Sequence, residues 1–228
     1  MKYFLIIFVV LVLFHNTFAQ KYHFFGTLDI DPMINREYEI IENPTNPSFP
    51  IQIISKEDNL GNLLNYGIEF RYSVLNNLPI LIGLRLNYGP KNLYDDQTSG
   101  QSFKEKLRIF KASVPIIYQI DLAQRFKFNL ILSLGSASIR IETLLLQYGI
   151  QYNPDGTQTQ IIRKLLDEKY TENRFYYSPS FEFQIKITKN VSILNSIKYE
   201  SFSIQTGSIR GKYKIEGIGF RLSAGYSL

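Results

Sequence analysis

The sequence predicts an all-β protein, a single antiparallel up-and-down transmembrane β-barrel of about eight strands with short periplasmic turns and long external loops. Three observations carry this. The closing segment alternates without a slip, with Phe220, Leu222, Ala224, Tyr226 and Leu228 on one face and Gly219, Arg221, Ser223, Gly225 and Ser227 on the other. Similar period-2 segments recur along the whole chain, and the connections between them alternate between short and long. Residues 1–19 read as a secretory signal peptide, with a basic Lys2, an apolar run from Phe4 to Phe14 and cleavage after Ala19. Residues 20–228 then form one barrel domain.

The elements follow in order. The first segment, Tyr22 to Asp31, sets Tyr22, Phe24, Leu28 and Ile30 against His23, Thr27, Asp29 and Asp31. The second, Asn65 to Leu75, sets Tyr66, Ile68, Phe70, Tyr72 and Val74 against Asn65, Gly67, Glu69, Arg71 and Ser73. The third, Ile80 to Tyr88, alternates as cleanly. In the fourth, Leu107 to Ile120, Pro115 removes a ladder donor and predicts a bulge or a weakened pair. The fifth, Phe126 to Ile141, places its large residues at Phe126, Phe128, Leu130, Leu132 and Leu134, then at Ile139 and Ile141. That change of phase after Ser136 predicts a bulge. The sixth, Arg174 to Ile187, is regular, the seventh, Val191 to Ile204, less so, and the eighth slips in phase at Gly217-Ile218-Gly219.

Short turns are expected at Asn76–Pro79, Asp121–Arg125 and Thr188–Asn190, and long loops at Pro32–Leu64, Gly89–Lys106 and Glu142–Asn173. A sorting of loops by parity is the layout of an outer-membrane barrel. In the third long loop, Ile161, Ile162, Leu165 and Leu166 recur at helical spacing. They fit either a short amphipathic helix or a hairpin extending strands five and six.

Volume decides which face points inward. The interior of an eight-stranded barrel is just wide enough to be filled by side chains, so the large residues of every strand would overfill it. Turned outward they form a lipid-facing belt. The small and charged face then fills the lumen with Asp29, Glu69, Glu182 and Glu200 beside Arg71, Arg85, Lys111, Lys198 and Arg221, because buried charges must find partners. The expected result is an ion-pair and hydrogen-bond plug in place of a conducting pore.

Composition narrows the chemistry. With Cys 0 the chain has no disulfide and no acylated cysteine, so pairing and burial alone must hold it. The net charge of +5 is mild and spread along the chain, which argues against nucleic-acid binding. Aromatic content comes from Tyr 16 and Phe 17 with Trp 0, and tyrosine suits a membrane interface. Of two histidines one lies in the leader, so any Ser-His-acid or His-metal site must use His23, with Ser223 or Ser227 on the closing strand as partner. Asp58 and the Asp95-Asp96 pair are outer-loop acids able to meet a cation. No catalytic, cofactor-binding or metal-ligating residue is assigned.

The leader ending Thr17-Phe-Ala-Gln20, the segment Tyr66-Gly-Ile-Glu-Phe-Arg-Tyr72, the strand Ser113-Val-Pro-Ile-Ile-Tyr118 and the Gly-rich closing strand together resemble the PorT-like outer-membrane β-barrel family of Bacteroidota. The resemblance implies an integral outer-membrane barrel, in some members tied to secretion or gliding machinery, and transfers no catalytic residue. The expected partners are outer-membrane lipid and a protein met through the external loops, with the barrel itself monomeric. The rival readings are an outer-membrane lipid-modifying enzyme and a soluble lipocalin-like ligand-binding barrel.

Overall fold

Antiparallel strands that each hide one face and show the other need a closed sheet to remove their edges, and this chain closes one. A computed structural model describes residues 22–42, 52–74, 78–97, 101–154, 157–205 and 211–228. Its strands are β1 (Tyr22–Glu42), β2 (Gln52–Ser73), β3 (Ile80–Gln97), β4 (Gln101–Asp121), β5 (Phe126–Tyr152), β6 (Gln158–Lys186), β7 (Val191–Gln205) and β8 (Gly211–Ser227). Each pairs antiparallel with its sequence neighbour, and β1 closes the barrel on β8 from His23↔Ser227 to Ile30↔Phe220. The signal peptide expected at residues 1–19 lies outside the described residues.

Orientation follows the volume argument. Phe24, Leu28, Tyr66, Ile68, Leu84, Phe110, Val114, Leu134, Tyr177, Phe181 and Phe220 are exposed on the outer wall, whereas Asp29, Glu69, Arg71, Arg85, Lys111, Glu182, Lys198 and Arg221 are buried inside. A soluble barrel of lipocalin type would show the reverse, so that reading is set aside. No helix among the described residues is long and apolar enough to cross a membrane, and the strands do the crossing.

The strands are much longer than a bilayer needs. Crossing takes about 9 to 11 tilted residues, yet β7, the shortest, has 15 and β6 has 29. Most of the segments expected as long external loops are therefore strand. Ile161, Ile162, Leu165 and Leu166 lie in β6, where Ile161, Ile162 and Leu166 pair with β5 and Leu165 sits at a register shift, so the hairpin alternative holds and no helix forms there. At the other end the turns are tight, with Leu122 N donating to Phe126 O (3.0 Å) and Thr188 N to Val191 O (3.2 Å).

The bulge expected on β5 is absent, for a physical reason. The β4–β5 register runs unbroken from Gln101↔Gln147 to Asp121↔Lys127, so β5 does not change phase after Ser136. Ile139 and Ile141 stay on the inner face and are buried, while Arg140 points out. On β8 the expected slip at Gly217-Ile218-Gly219 is seen from one side only: the register against β7 passes through without a shift, whereas the register against β1 shifts there, between Ile30↔Phe220 and Ile34↔Ile215. What changes along β5 is the solvent. Within the membrane the outer wall meets hydrocarbon and carries the apolar residues; above it the wall meets water and the apolar residues move inside. Phe202 and Ile204 make the same exchange on β7, which explains its irregular pattern.

True register shifts occur elsewhere. β1 changes phase around Pro32, where Asp31 and Pro32 are both buried, and shifts against β2 and β8 between Ile30 and Met33 or Ile34. Gly61 (φ 74°) on β2 and Gly217 (φ 130°) on β8 flank this point, in backbone conformations that favour glycine. At Pro115 the weakened pair appears. The β3–β4 ladder skips from Ile82↔Ile116 to Arg85↔Ser113 with its register kept. The Pro115 ring occupies the place a side chain at Gly83 would take, since a Cβ there would lie 2.9 Å from Pro115 Cγ.

Above the membrane the barrel divides into two leaves. Among the described residues β2 pairs β3 only from Tyr66↔Tyr88 to Ser73↔Leu81, and β6 pairs β7 only from Ser180↔Lys198 to Lys186↔Ser192. The outer halves of β7, β8, β1 and β2 form one leaf, those of β3 to β6 the other. Ile34, Leu63, Phe202, Ile204, Tyr213 and Ile215 from the first pack on Leu107, Ile109, Ala137, Ile139, Ile141 and Tyr176 from the second. This is a sandwich core standing on a membrane barrel.

Candidate functional site

The charge-filled lumen and the projecting outer sheet are the two features on which function must be built. Every lumen charge expected from the sequence is inside, and the structure adds Asp31, which the alternation of β1 placed on the same polar face. The groups fall into two chains, each with equal numbers of cations and anions. In the first, Arg71 grips Glu182 with two bonds of 2.6 Å and also donates to Glu69 (2.7 Å), which Arg85 reaches from the other side (2.9 Å). Asn129 also donates to Glu182 (2.7 Å) and Arg85 to Ser133 (3.0 Å).

In the second chain, Arg221 holds Asp29 with bonds of 2.6 and 2.7 Å, and Asn87 donates to the same carboxylate (2.7 Å). Lys198 joins Asp29 (3.0 Å), Asp31 (2.5 Å) and Glu200 (3.2 Å), and Lys111 joins Asp31 (2.6 Å) and Glu200 (2.5 Å). Charges this deep persist only when matched and hydrogen-bonded. The matching is made across strands far apart in sequence, so through the centre the first chain ties β2 and β3 to β6 and the second ties β1 to β4, β7 and β8.

The ionic plug grades into the apolar core. Lys111 Nζ sits 5.6 Å from the Tyr176 ring centroid and 5.3 Å from that of Phe202, a cation–π floor beneath the sandwich. Above it Glu105 takes the Tyr213 hydroxyl (2.6 Å) and pairs with Arg36 (3.3 Å), linking the two leaves. Arg36 and Glu105 escaped the sequence reading because both fall in segments read as loops; the Pro32 phase change also hides the inward position of Arg36.

At the periplasmic end the lumen opens into a cavity of about 710 Å³ lined by His23, Gln119, Lys127, Gln184, Asn190 and Ser227 among others. His23 Nδ1 lies 2.5 Å from Ser227 Oγ, the cross-strand pair set by the β1–β8 register. Ser223, the other serine considered, is opposite Thr27 and buried. Asp58 lies on β2 and Asp95 and Asp96 on β3, with side chains outside the described residues. No group of His, Cys, Asp and Glu able to hold a metal ion occurs among the described residues.

A closed eight-stranded sheet, a lipid-facing belt and an ion-paired lumen define an integral β-barrel protein of the bacterial outer membrane. Solved structures of similar form include Ail, the attachment invasion locus protein of Yersinia pestis, at 9% identity and TM-score 0.49, covering 92% of this chain and 100% of that one. Neisserial surface protein A is similar at 12% identity and TM-score 0.44, covering 91% and 96%. OprG of Pseudomonas aeruginosa is similar at 8% identity and TM-score 0.46, covering 92% and 95%. The class assignment rests on the barrel and its belt, not on these likenesses. No family model and no curated protein matches the chain.

Proposed function

We propose that this protein works by contact, as an interaction barrel whose extracellular sheet receives a partner polypeptide, with no catalytic step and no conducting path. The observation that carries the reading is the outer edge of β6. Among the described residues its ladder with β7 stops at Ser180↔Lys198, leaving positions 158–179 paired with β5 on one side only. A row of unpaired amides and carbonyls is a template for an added strand. Arg163, Lys164, Asp167, Glu168 and Lys169 lie on that strand, and such charges discourage indiscriminate edge pairing while favouring a complementary partner.

The resemblance to PorT-like barrels fits this reading and points to a role as an accessory of envelope secretion machinery, with the barrel monomeric in the lipid. The test is a photo-crosslinking amino acid placed at Thr171 on the edge, and in a second variant at Asn190 on the periplasmic turn, in intact cells. The reading expects a discrete protein adduct from position 171 that a nearby Asn173→Pro change removes. Adducts from position 190 alone would move the function to the periplasmic mouth.

The His23–Ser227 contact favours a second reading, a lipid hydrolase using Ser227 as nucleophile and His23 as base. It is the weaker one, since the pair faces the lumen mouth and not the lipid-facing wall where an ester would lie. Phospholipid hydrolysis by purified barrel that His23→Ala and Ser227→Ala both abolish would establish it, and its absence leaves the contact as strand-closing structure.

A further inference from the structure

The outward face of β4 to β6 carries a second feature, centred on β4 and β5 and sharing Lys169 with the β6 edge. Strand register arranges it in rows. One row reads Tyr88, Phe110, Ser138 and Asn173; the next one outward reads Pro90, Arg108, Arg140 and Thr171; the third reads Asn92, Lys106, Glu142 and Lys169. The inner row is the top of the lipid belt, with Tyr88 and Phe110 exposed at its β3 and β4 positions. Four cations and one carboxylate therefore stand immediately above hydrocarbon, at headgroup height.

Arg108 and Arg140 are directly opposite across the β4–β5 ladder. Like charges in that relation repel. A single acid tempers them: Glu142 lies 3.4 Å from Arg108 Nη2 and 2.9 Å from Arg140 Nε, and both guanidinium side chains remain 44% exposed. Their fork-shaped donors match the oxygens of a phosphate better than a single carboxylate can fill them. Lys106 and Lys169 flank the pair, and Ser138 and Asn173 add neutral hydrogen-bonding groups one row below. The other leaf has no such cluster among its described residues, since the exposed Lys214 there pairs with Glu216.

We infer that Arg108 and Arg140, with Lys106 and Lys169, bind the phosphate group of a lipid in the outer leaflet, whose acyl chains run down the belt past Phe110 and Phe175. The site clamps the β4–β6 leaf to the membrane surface and fixes the direction in which the β6 edge faces. Basic clusters beside a bilayer attract anionic headgroups in this way.

The test is native mass spectrometry of the detergent-solubilised barrel exchanged into phosphatidic acid or phosphatidylcholine. The expected result is retention of one phosphatidic acid at least tenfold above phosphatidylcholine, lost in R108Q/R140Q and kept in K212Q/K214Q on the opposite leaf. Heat-modifiable gel migration confirms that each variant is folded. Equal loss in both double variants would reduce the effect to bulk attraction and overturn the site. Full displacement by millimolar inorganic phosphate would assign the site to a free anion and overturn the lipid.

Discussion

Glu182 shows what a single lumen residue does. It takes two bonds from Arg71 and one from Asn129, and it belongs to a chain of two cations and two anions. Glu182→Gln keeps the shape and removes the charge, leaving the buried Arg71 matched only by the Glu69 it shares with Arg85. Breaking a buried pair on one side costs about 3–5 kcal/mol. Urea unfolding from lipid vesicles should show a loss of that size, partly recovered in R71M/E182L, where neither charge remains. The exposed Glu216, paired with Lys214 on the outer surface, provides the contrast. Glu216→Gln should leave stability close to that of the parent, because a solvent-exposed ion pair is screened. An equal loss from the two substitutions would mean that the lumen network adds nothing beyond surface pairing.

At the scale of the strand, β5 carries the main lesson. Leu134 and Ile139 are both large and aliphatic, yet one faces lipid and the other the sandwich core. Ile139→Ala should cost about 2–5 kcal/mol, as a core truncation does. Leu134→Ala should cost clearly less, because lipid tails fill the space that the core cannot. Gly83 is a second element-level test. A valine there would meet the Pro115 ring and the Phe70 carbonyl, and overpacking of this kind costs about 1–3 kcal/mol. Both series can be measured by the same unfolding assay.

These elements also show what was legible in sequence. Strand number, pairing order, the tight turns at Asp121–Arg125 and Thr188–Asn190 and the identity of nearly every lumen charge followed from period-2 alternation, because alternation maps directly onto two faces; the turn expected at Asn76–Pro79 lies partly outside the described residues. The outer half did not follow. Alternation says which residues share a face, not which medium that face meets, so the switch from lipid to water at Ile139 on β5 and at Phe202 on β7 read as bulges or irregularity. Pro32 was the converse case. A real phase change there was folded into a loop, and Arg36 and its partner Glu105 went unseen with it. The His23–Ser227 contact was readable because both residues lie near the ends of strands that must meet when the barrel closes.

For the whole molecule, two stacked seals follow from the packing: an electroneutral ionic plug in the membrane and an apolar core above it. Planar bilayers containing the purified barrel should show no stepwise ion currents, and reproducible open-channel steps would show a path that these seals forbid. The central claim is that one continuous sheet changes its inside-outside code at the membrane surface. Because the chain has Cys 0, single cysteines along β5 from 132 to 142 can carry a nitroxide without background. Collision accessibility in lipid vesicles then reports the surroundings of each position. Positions 132 and 134 should be open to oxygen from the lipid, 140 and 142 to a water-soluble relaxer, and 139 and 141 to neither. Oxygen accessibility from lipid at 139 and 141 would contradict the account.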